Sequence, residues 1–259
     1  MFKRKKLVPK SIFITGASSG LGRALALDYA KKGNTLFLCG RSIERLEQTA
    51  QACKDKGAEV YTFAFDVSEA SVCESAIHNA NNIKPLDLII ANAGVSGGVL
   101  GIPENKIATL NIFQTNIWGV VHTVIPAISC FKEKKGGQIA IISSIAGYRG
   151  MASCPAYSAS KSCIKAWGEG LRGFLKPHNI KVSVICPGFI ETPLTDKNKF
   201  SMPFIMEPEK AAKIIRKRLE KNPAIIAFPW PMALGAWLGS ALPSWIILPI
   251  MGKFPKKEK

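Results

Sequence analysis

The chain's 259 residues fall within the range of a single α/β unit, and an apolar share of 47% suffices for a substantial core. Its 35 Lys and Arg against 18 acids, a net charge of +17, suit anionic partners: a phosphorylated cofactor, an acidic carrier protein or an anionic membrane surface. No nucleic-acid-binding motif accompanies that charge, so nucleic acid is not an expected partner.

Residues 1–10 form a basic tail with Lys3, Arg4, Lys5, Lys6 and Lys10; only Leu7 and Val8 precede Pro9, too short for a signal-peptide core. Ser11–Thr15 predicts a strand, and the turn Thr15-Gly16-Ala17-Ser18-Ser19-Gly20-Leu21-Gly22 follows at once. Leu21, Leu25, Ala26 and Tyr29 then recur at helical spacing. Strand, glycine turn and helix are the setting of a dinucleotide-binding loop. Glycines admit the pyrophosphate close to the backbone, and the helix N-terminus offers free N–H groups. Gly16, Ser18, Ser19, Gly20, Leu21 and Gly22 are therefore candidate cofactor contacts.

Thr35–Cys39 is the second predicted strand, and Gly40-Arg41-Ser42 follows it. An acid there would bond the ribose hydroxyls of NAD, whereas an arginine accommodates the 2′-phosphate of NADP. Arg41 and Ser42 thus predict NADP(H); Ser42 alternatively caps the helix predicted over Ile43–Lys56. Val60–Phe65 is the third strand and ends in Asp66-Val67. The Asp66 carboxylate could accept from the adenine amino group, cap the helix predicted over Glu69–Asn82, or do both. Leu86–Ala91 is near-continuously apolar, as in a parallel sheet covered on both faces, and leads into Asn92-Ala93-Gly94. An irregular stretch, Val95–Pro103, reads as a loop over the site. The helical region beyond it holds Asn116, a polar residue that needs partners or a purpose if buried.

Gln138–Ser143 is the fifth strand and delivers Ser144 to its end. Pro155 suits the first position of a helix running to about Lys176, on which Tyr157 and Lys161 share one face. An ammonium about 4 Å from a phenol, at an effective dielectric of about 20, favours the phenolate by about 4 kcal/mol, or roughly three pK units. Tyr157 is therefore expected to titrate near neutrality as a general acid/base, with Ser144 donating to a substrate oxygen. Lys181–Cys186 is the sixth strand and ends in Pro187-Gly188. Functional-looking residues recur at strand C-termini, where open α/β sheets bind ligands.

Together these residues resemble the short-chain dehydrogenase/reductase family over roughly Lys10 to Pro229. Thr15, Gly16, Gly20 and Gly22 match its Thr-Gly-x-x-x-Gly-x-Gly motif, and Tyr157 and Lys161 its Tyr-x-x-x-Lys. Ser144, thirteen residues before the tyrosine, matches its catalytic serine. Asn116 matches its structural and proton-relay asparagine, and Pro187, Gly188 and Thr192 the segment near the nicotinamide. One departure is Ala91, where the family's Asn-Asn-Ala-Gly carries an asparagine. The resemblance implies an α/β fold: a single doubly wound Rossmann-like domain with a mostly parallel seven-stranded sheet and helices on both faces. It implies Ser144, Tyr157, Lys161 and Asn116 as the catalytic set. It further implies cofactor contacts from Asp66, Val67, Asn92, Ala93, Gly94, Tyr157, Lys161, Pro187, Gly188, Ile190 and Thr192 besides the glycine turn, Arg41 and Ser42. Homodimers or homotetramers are the expected assemblies. The implied activity is NADP(H)-dependent hydride transfer to or from an apolar alcohol or carbonyl compound, lipid-, steroid- or ketoacyl-like. The alternatives are a non-catalytic NADP(H)-binding sensor or scaffold and a 3-ketoacyl-carrier reductase.

The expected division is a catalytic domain over 11–228, with a substrate loop or lid at 189–207, and an apolar extension over 229–259. Phe189, Ile190, Leu194, Phe200, Met202, Phe204, Ile205 and Met206 suggest an apolar pocket or lid. Glu209–Glu220 predicts a basic helix and Ala224–Phe228 a seventh strand. No charged residue occurs from Asn222 to Gly252, but Pro229, Pro231, Pro243 and Pro249 divide that stretch, so no membrane-spanning helix is expected. Trp230, Trp237 and Trp245 with the lysines that follow suit a lipid–water interface. The competing reading is a hydrophobic arm that closes the pocket or packs between subunits. The expected location is cytoplasmic, with peripheral contact at the inner face of a membrane as the lipid-side version. Seven scattered cysteines without a C-x-x-C pair read as reduced thiols, and His78, His122 and His178 suggest neither a metal site nor a triad.

Overall fold

The computed structural model describes residues 8–96, 104–193, 195 and 202–251. Leu194, Phe200 and most of the irregular stretch before Glu104 lie outside the described residues. Strands and helices alternate along the chain: β1 (Ser11–Thr15), α1 (Gly20–Tyr29), β2 (Thr35–Gly40), α2 (Ile43–Lys54), β3 (Glu59–Ala64), α3 (Ala70–Ile83), β4 (Leu88–Ala91), α4 (Lys106–Phe113), α5 (Gly119–Glu133), β5 (Gly137–Ile142), α6 (Pro155–Phe174), β6 (Ile180–Pro187), α7 (Pro208–Leu219), β7 (Ile225–Phe228), α8 (Trp230–Ala241) and α9 (Ser244–Met251). The predicted strands and helices are all present, with ends displaced by a residue or two.

The seven strands form one sheet in the order β3-β2-β1-β4-β5-β6-β7, and every neighbouring pair is parallel. The sheet has a core on each face, which explains why its strands read as unbroken apolar runs. Successive side chains point to opposite faces. Ile12, Ile14, Leu36 and Leu38 join α1, α2 and α7 in one core. Phe13, Phe37, Ile89 and Ile139 join α3 and α5 in the other. The chain order reverses between β1 and β4, and the crevice beyond their C-terminal ends is the ligand side of such sheets.

Among the described residues no helix is long and apolar enough to cross a membrane. The uncharged C-terminal stretch becomes two short helices, α8 and α9, as its prolines require. No disulfide joins any of the seven cysteines; Cys39, Cys53, Cys73, Cys130 and Cys186 are buried, and Cys163 is exposed. The described residues hold no cluster of His, Cys, Asp and Glu that could bind a metal.

Candidate active site

The glycine turn is built for close backbone approach. Gly16 has φ of +66° and Gly20 of +51°, the left-handed region that glycine reaches freely. A Cβ on Gly22 would lie 2.1 Å from the Gly16 carbonyl oxygen, so no side chain fits there. Ser19 precedes α1 without capping it through its side chain, which leaves the first-turn N–H groups to an anion. Ser18 packs on Gly40, its Oγ 3.1 Å from where a Gly40 Cβ would be. The ends of β1 and β4 are stitched together: Thr15 Oγ1 accepts from the N–H groups of Asn92 (3.0 Å) and Ala93 (3.1 Å). Asn92 Nδ2 in turn donates to the Thr15 carbonyl at 2.9 Å. With this stitching present, the turn keeps its shape although Ala91 offers no side-chain hydrogen bond. This narrow, glycine-floored crevice fits a dinucleotide pyrophosphate.

At the end of β2, Arg41 is largely exposed and faces Asp66 across the strand ends at 3.6 Å. Two of the sequence expectations resolve here. Ser42 Oγ accepts from Arg45 N at 3.4 Å and donates to Glu44 at 2.8 Å, so it caps α2. Asp66 does not cap α3; its carboxylate accepts from Ser68 N at 2.9 Å in a tight local turn. Glu69 occupies the cap position of α3 and makes no side-chain bond. Val67 is buried beneath α5, and its carbonyl oxygen is 3.0 Å from His122 Nδ1.

Asn116 sits on a π-helical turn, Gln114–Trp118, between α4 and α5. Such a bulge re-aims a side chain that a regular helix would place elsewhere. Asn116 is fully buried, accepts from Val95 N at 2.8 Å, and donates to the Val95 carbonyl at 2.9 Å and to Ser160 Oγ at 3.0 Å. It therefore ties the irregular segment after β4 to the helix of Tyr157. Ser143 is buried and donates to the Lys161 carbonyl at 2.8 Å, a structural bond. The neighbouring Ser144 accepts from Ala146 N at 3.1 Å, and its hydroxyl lies near enough to the Tyr157 phenol to favour the phenolate. Lys161 is 4% exposed and donates to the Ile142 carbonyl at 3.0 Å, with Nζ 5.8 Å from the centre of the Tyr157 ring. A Cβ on Gly94 would stand 3.4 Å from Lys161 Nζ and 3.2 Å from Asn116 Oδ1, so the β4 turn abuts both groups.

The electrostatics correct one expectation. Burial pushes the Tyr157 phenol up to about 12, opposed by the Ser144 hydroxyl. Burial pushes Lys161 down to about 8. The attraction of the Lys161 ammonium does not include the cost of removing the phenolate from water. In this enclosed position that cost outweighs the neighbouring ammonium.

Past β6, Ile190 is buried in the core and bridges Met206. Thr192 folds over the glycine turn, its Cγ2 2.9 Å from where a Gly20 Cβ would be. A Cβ on Gly188 would meet Met232 Sδ of α8 at 3.0 Å and Ile145 Cδ1 at 3.5 Å. The C-terminal extension thus packs against the side of the site beside Ser144. Three participants had no readable signal in the sequence. Glu104 accepts from Ala156 N at 2.5 Å and from Tyr157 N at 3.4 Å, capping α6. Arg149 anchors the α8–α9 hairpin, and Met232 borders the site. All three act across 40 or more residues of chain, beyond any local pattern.

The sequence model described as short chain dehydrogenase matches residues 10–201. An uncharacterized oxidoreductase of Myxococcus xanthus (strain DK1622) is 34% identical over 238 residues, covering 91% of this chain and 93% of its own. Ketoacyl reductase HetN of Nostoc sp. is 31% identical over 221 residues, covering 83% of this chain and 77% of its own. Among solved structures, a short chain dehydrogenase from Mycobacterium paratuberculosis bound to NAD superposes with a TM-score of 0.77 at 22% identity, covering 86% of this chain and 97% of that one. The structural likeness is one of fold; the sequence matches extend through the glycine turn and the helix of Tyr157 and Lys161, and by them this chain belongs to the short-chain dehydrogenase/reductase family of oxidoreductases.

Proposed function

We propose that this protein is an NADP(H)-dependent oxidoreductase that interconverts an apolar secondary alcohol and its carbonyl compound. The observation that carries the reading is the convergence of Ser144, Tyr157 and Lys161 beside the Gly94 turn, at the C-terminal ends of β4 and β5. A nicotinamide bound there would supply or accept the hydride. Ser144 holds the substrate oxygen. Tyr157, held protonated at neutral pH by its burial, donates its proton to that oxygen in the reductive direction. Lys161 places a positive charge next to the phenolate that results, and Asn116 fixes the backbone on which both groups depend. Met232 and Ile145 supply an apolar wall for the substrate, and the apolar residues of 202–206 serve as part of its lid.

The preference for NADP(H) rests on Arg41, exposed at the end of β2 where no acid stands. Its pairing with Asp66 is long and exposed, worth at most about 1 kcal/mol, and yields readily to a phosphate. The same reading includes a homodimer or homotetramer, to which the exposed Ile107, Leu110, Trp118 and Ile125 lend support. It also includes a cytoplasmic location with peripheral membrane contact through 229–259. The likeness to HetN favours a ketoacyl reductase as the second reading.

The test is NADPH oxidation with a panel of ketones, aldehydes and acyl thioesters, with and without detergent. Turnover of apolar ketones supports the first reading, and turnover of acyl thioesters alone supports the second. No turnover with saturable NADPH binding would leave a cofactor-binding scaffold.

A further inference from the structure

Helix α8 is apolar almost throughout and turns one large apolar face outward. Trp230, Leu234, Trp237 and Leu238 recur at helical spacing on one face. That face is exposed at 75%, 48%, 57% and 49%, respectively, and α9 adds Trp245 at 78%. No residue of α8 is buried. The opposite face carries Met232 against Gly188 and Gly239 against Ile247 of α9. An apolar surface of this extent on a folded chain marks an interaction site.

The hairpin is not a frayed end. One Arg149 guanidinium nitrogen donates to the Leu242 carbonyl at 2.9 Å and reaches the carbonyls of Gly239 and Ser240 at 3.4 Å. The other donates to Ser244 Oγ at 2.8 Å. Arg149 lies on the segment that joins Ser144 to Tyr157. Arg149 therefore ties the hairpin that carries the outward face to the reacting end of the sheet.

Charge selects the occupant. The chain's net charge of +17 complements an anionic bilayer. Lys253, Lys256, Lys257 and Lys259 follow α9 in the sequence, with Glu258 as the single acid. A helix of 12 residues is about 18 Å long, too short to cross a bilayer but suited to lying in its interface, where tryptophan is favoured.

We propose that the outward face of the α8–α9 hairpin seats on an anionic lipid surface, which sets the Met232 side of the site beside the bilayer. The placement of the substrate site beside the bilayer rests on the oxidoreductase reading; the docking itself does not.

The test compares the full chain with a Trp230→Ser/Trp237→Ser/Trp245→Ser variant, using vesicles of phosphatidylcholine alone and of phosphatidylcholine mixed with phosphatidylglycerol. The unaltered chain should sediment with the mixed vesicles at low salt and much less with the neutral ones. The variant should lose about tenfold or more in partitioning while its turnover of a water-soluble ketone stays unchanged. Absence of binding to mixed vesicles, or equal binding by the variant, overturns the proposal. So does a dimer, seen by light scattering, that the variant dissociates and that does not bind vesicles. Vesicle binding needs no turnover, so it can succeed where the oxidoreductase reading fails.

Discussion

Glu104 caps the helix that carries Tyr157, accepting hydrogen bonds from the backbone N–H groups of Ala156 and of Tyr157 itself. The local chain supplies no such group, because Cys154 occupies the cap position and does not cap the helix through its side chain. A carboxylate there satisfies orphan donors and meets the positive end of the helix dipole. Glu104→Ala should therefore cost about 1 kcal/mol in urea unfolding. It should also lower kcat more than it changes KM for the cofactor, because Tyr157 is the residue displaced. Glu104→Gln should restore part of both. Equal stability and equal kcat in the alanine variant would show that the cap is idle.

Tyr157→Phe removes the proton donor and leaves the ring. Cofactor affinity should persist, and turnover should fall by about 10²- to 10⁴-fold, the usual worth of a positioned acid/base. NADPH titration by fluorescence and steady-state kinetics separate the two effects. A variant with retained turnover would remove Tyr157 from the chemistry.

Arg41→Asp replaces a cation at the end of β2 with an acid, and it breaks the contact with Asp66. Preference should move from NADPH towards NADH by about tenfold or more, on the scale of a lost charge-assisted pair. Competing titrations of the two cofactors measure it. An unchanged ratio would place phosphate recognition elsewhere.

Lys161 predicts a pH signature of stability. Its folded pKa of about 8 lies below the ordinary 10.5, so between those values the unfolded chain binds a proton that the folded chain has released. Stability contributed by this group is lowest below pH about 8 and rises towards pH about 10.5, by about 3 kcal/mol in all. Thiols and phenols raised by burial act in the opposite sense at alkaline pH, and those away from Lys161 are common to the protein and to Lys161→Met; Cys186, whose thiol Lys161 lowers, is removed from the comparison by carrying Cys186→Ala in both proteins. Between about pH 7.5 and 9.5, the stability of the protein relative to Lys161→Met should rise by about 2 kcal/mol. Urea midpoints at the two pH values test this; a flat difference would mean that Lys161 keeps an ordinary pKa.

The elements of the sheet and the glycine turn were legible in the residues because their causes are local. Strand propensity, helical spacing at Leu21, Leu25 and Tyr29, and the glycine spacing of the turn are properties of neighbours in sequence. The same holds for Tyr157 and Lys161, which one helical turn brings to one face, and for Ser42, whose capping role needs only the residues just after it. The acidity of Tyr157 was not legible, because it depends on how much water the folded chain removes from the phenol. Nor were the reach of Glu104 to α6, the grip of Arg149 on the α8–α9 hairpin, or the seat of Met232 on Gly188. Each joins residues far apart in sequence, and only the packed tertiary structure decides which distant groups become neighbours and how strongly burial shifts their charge.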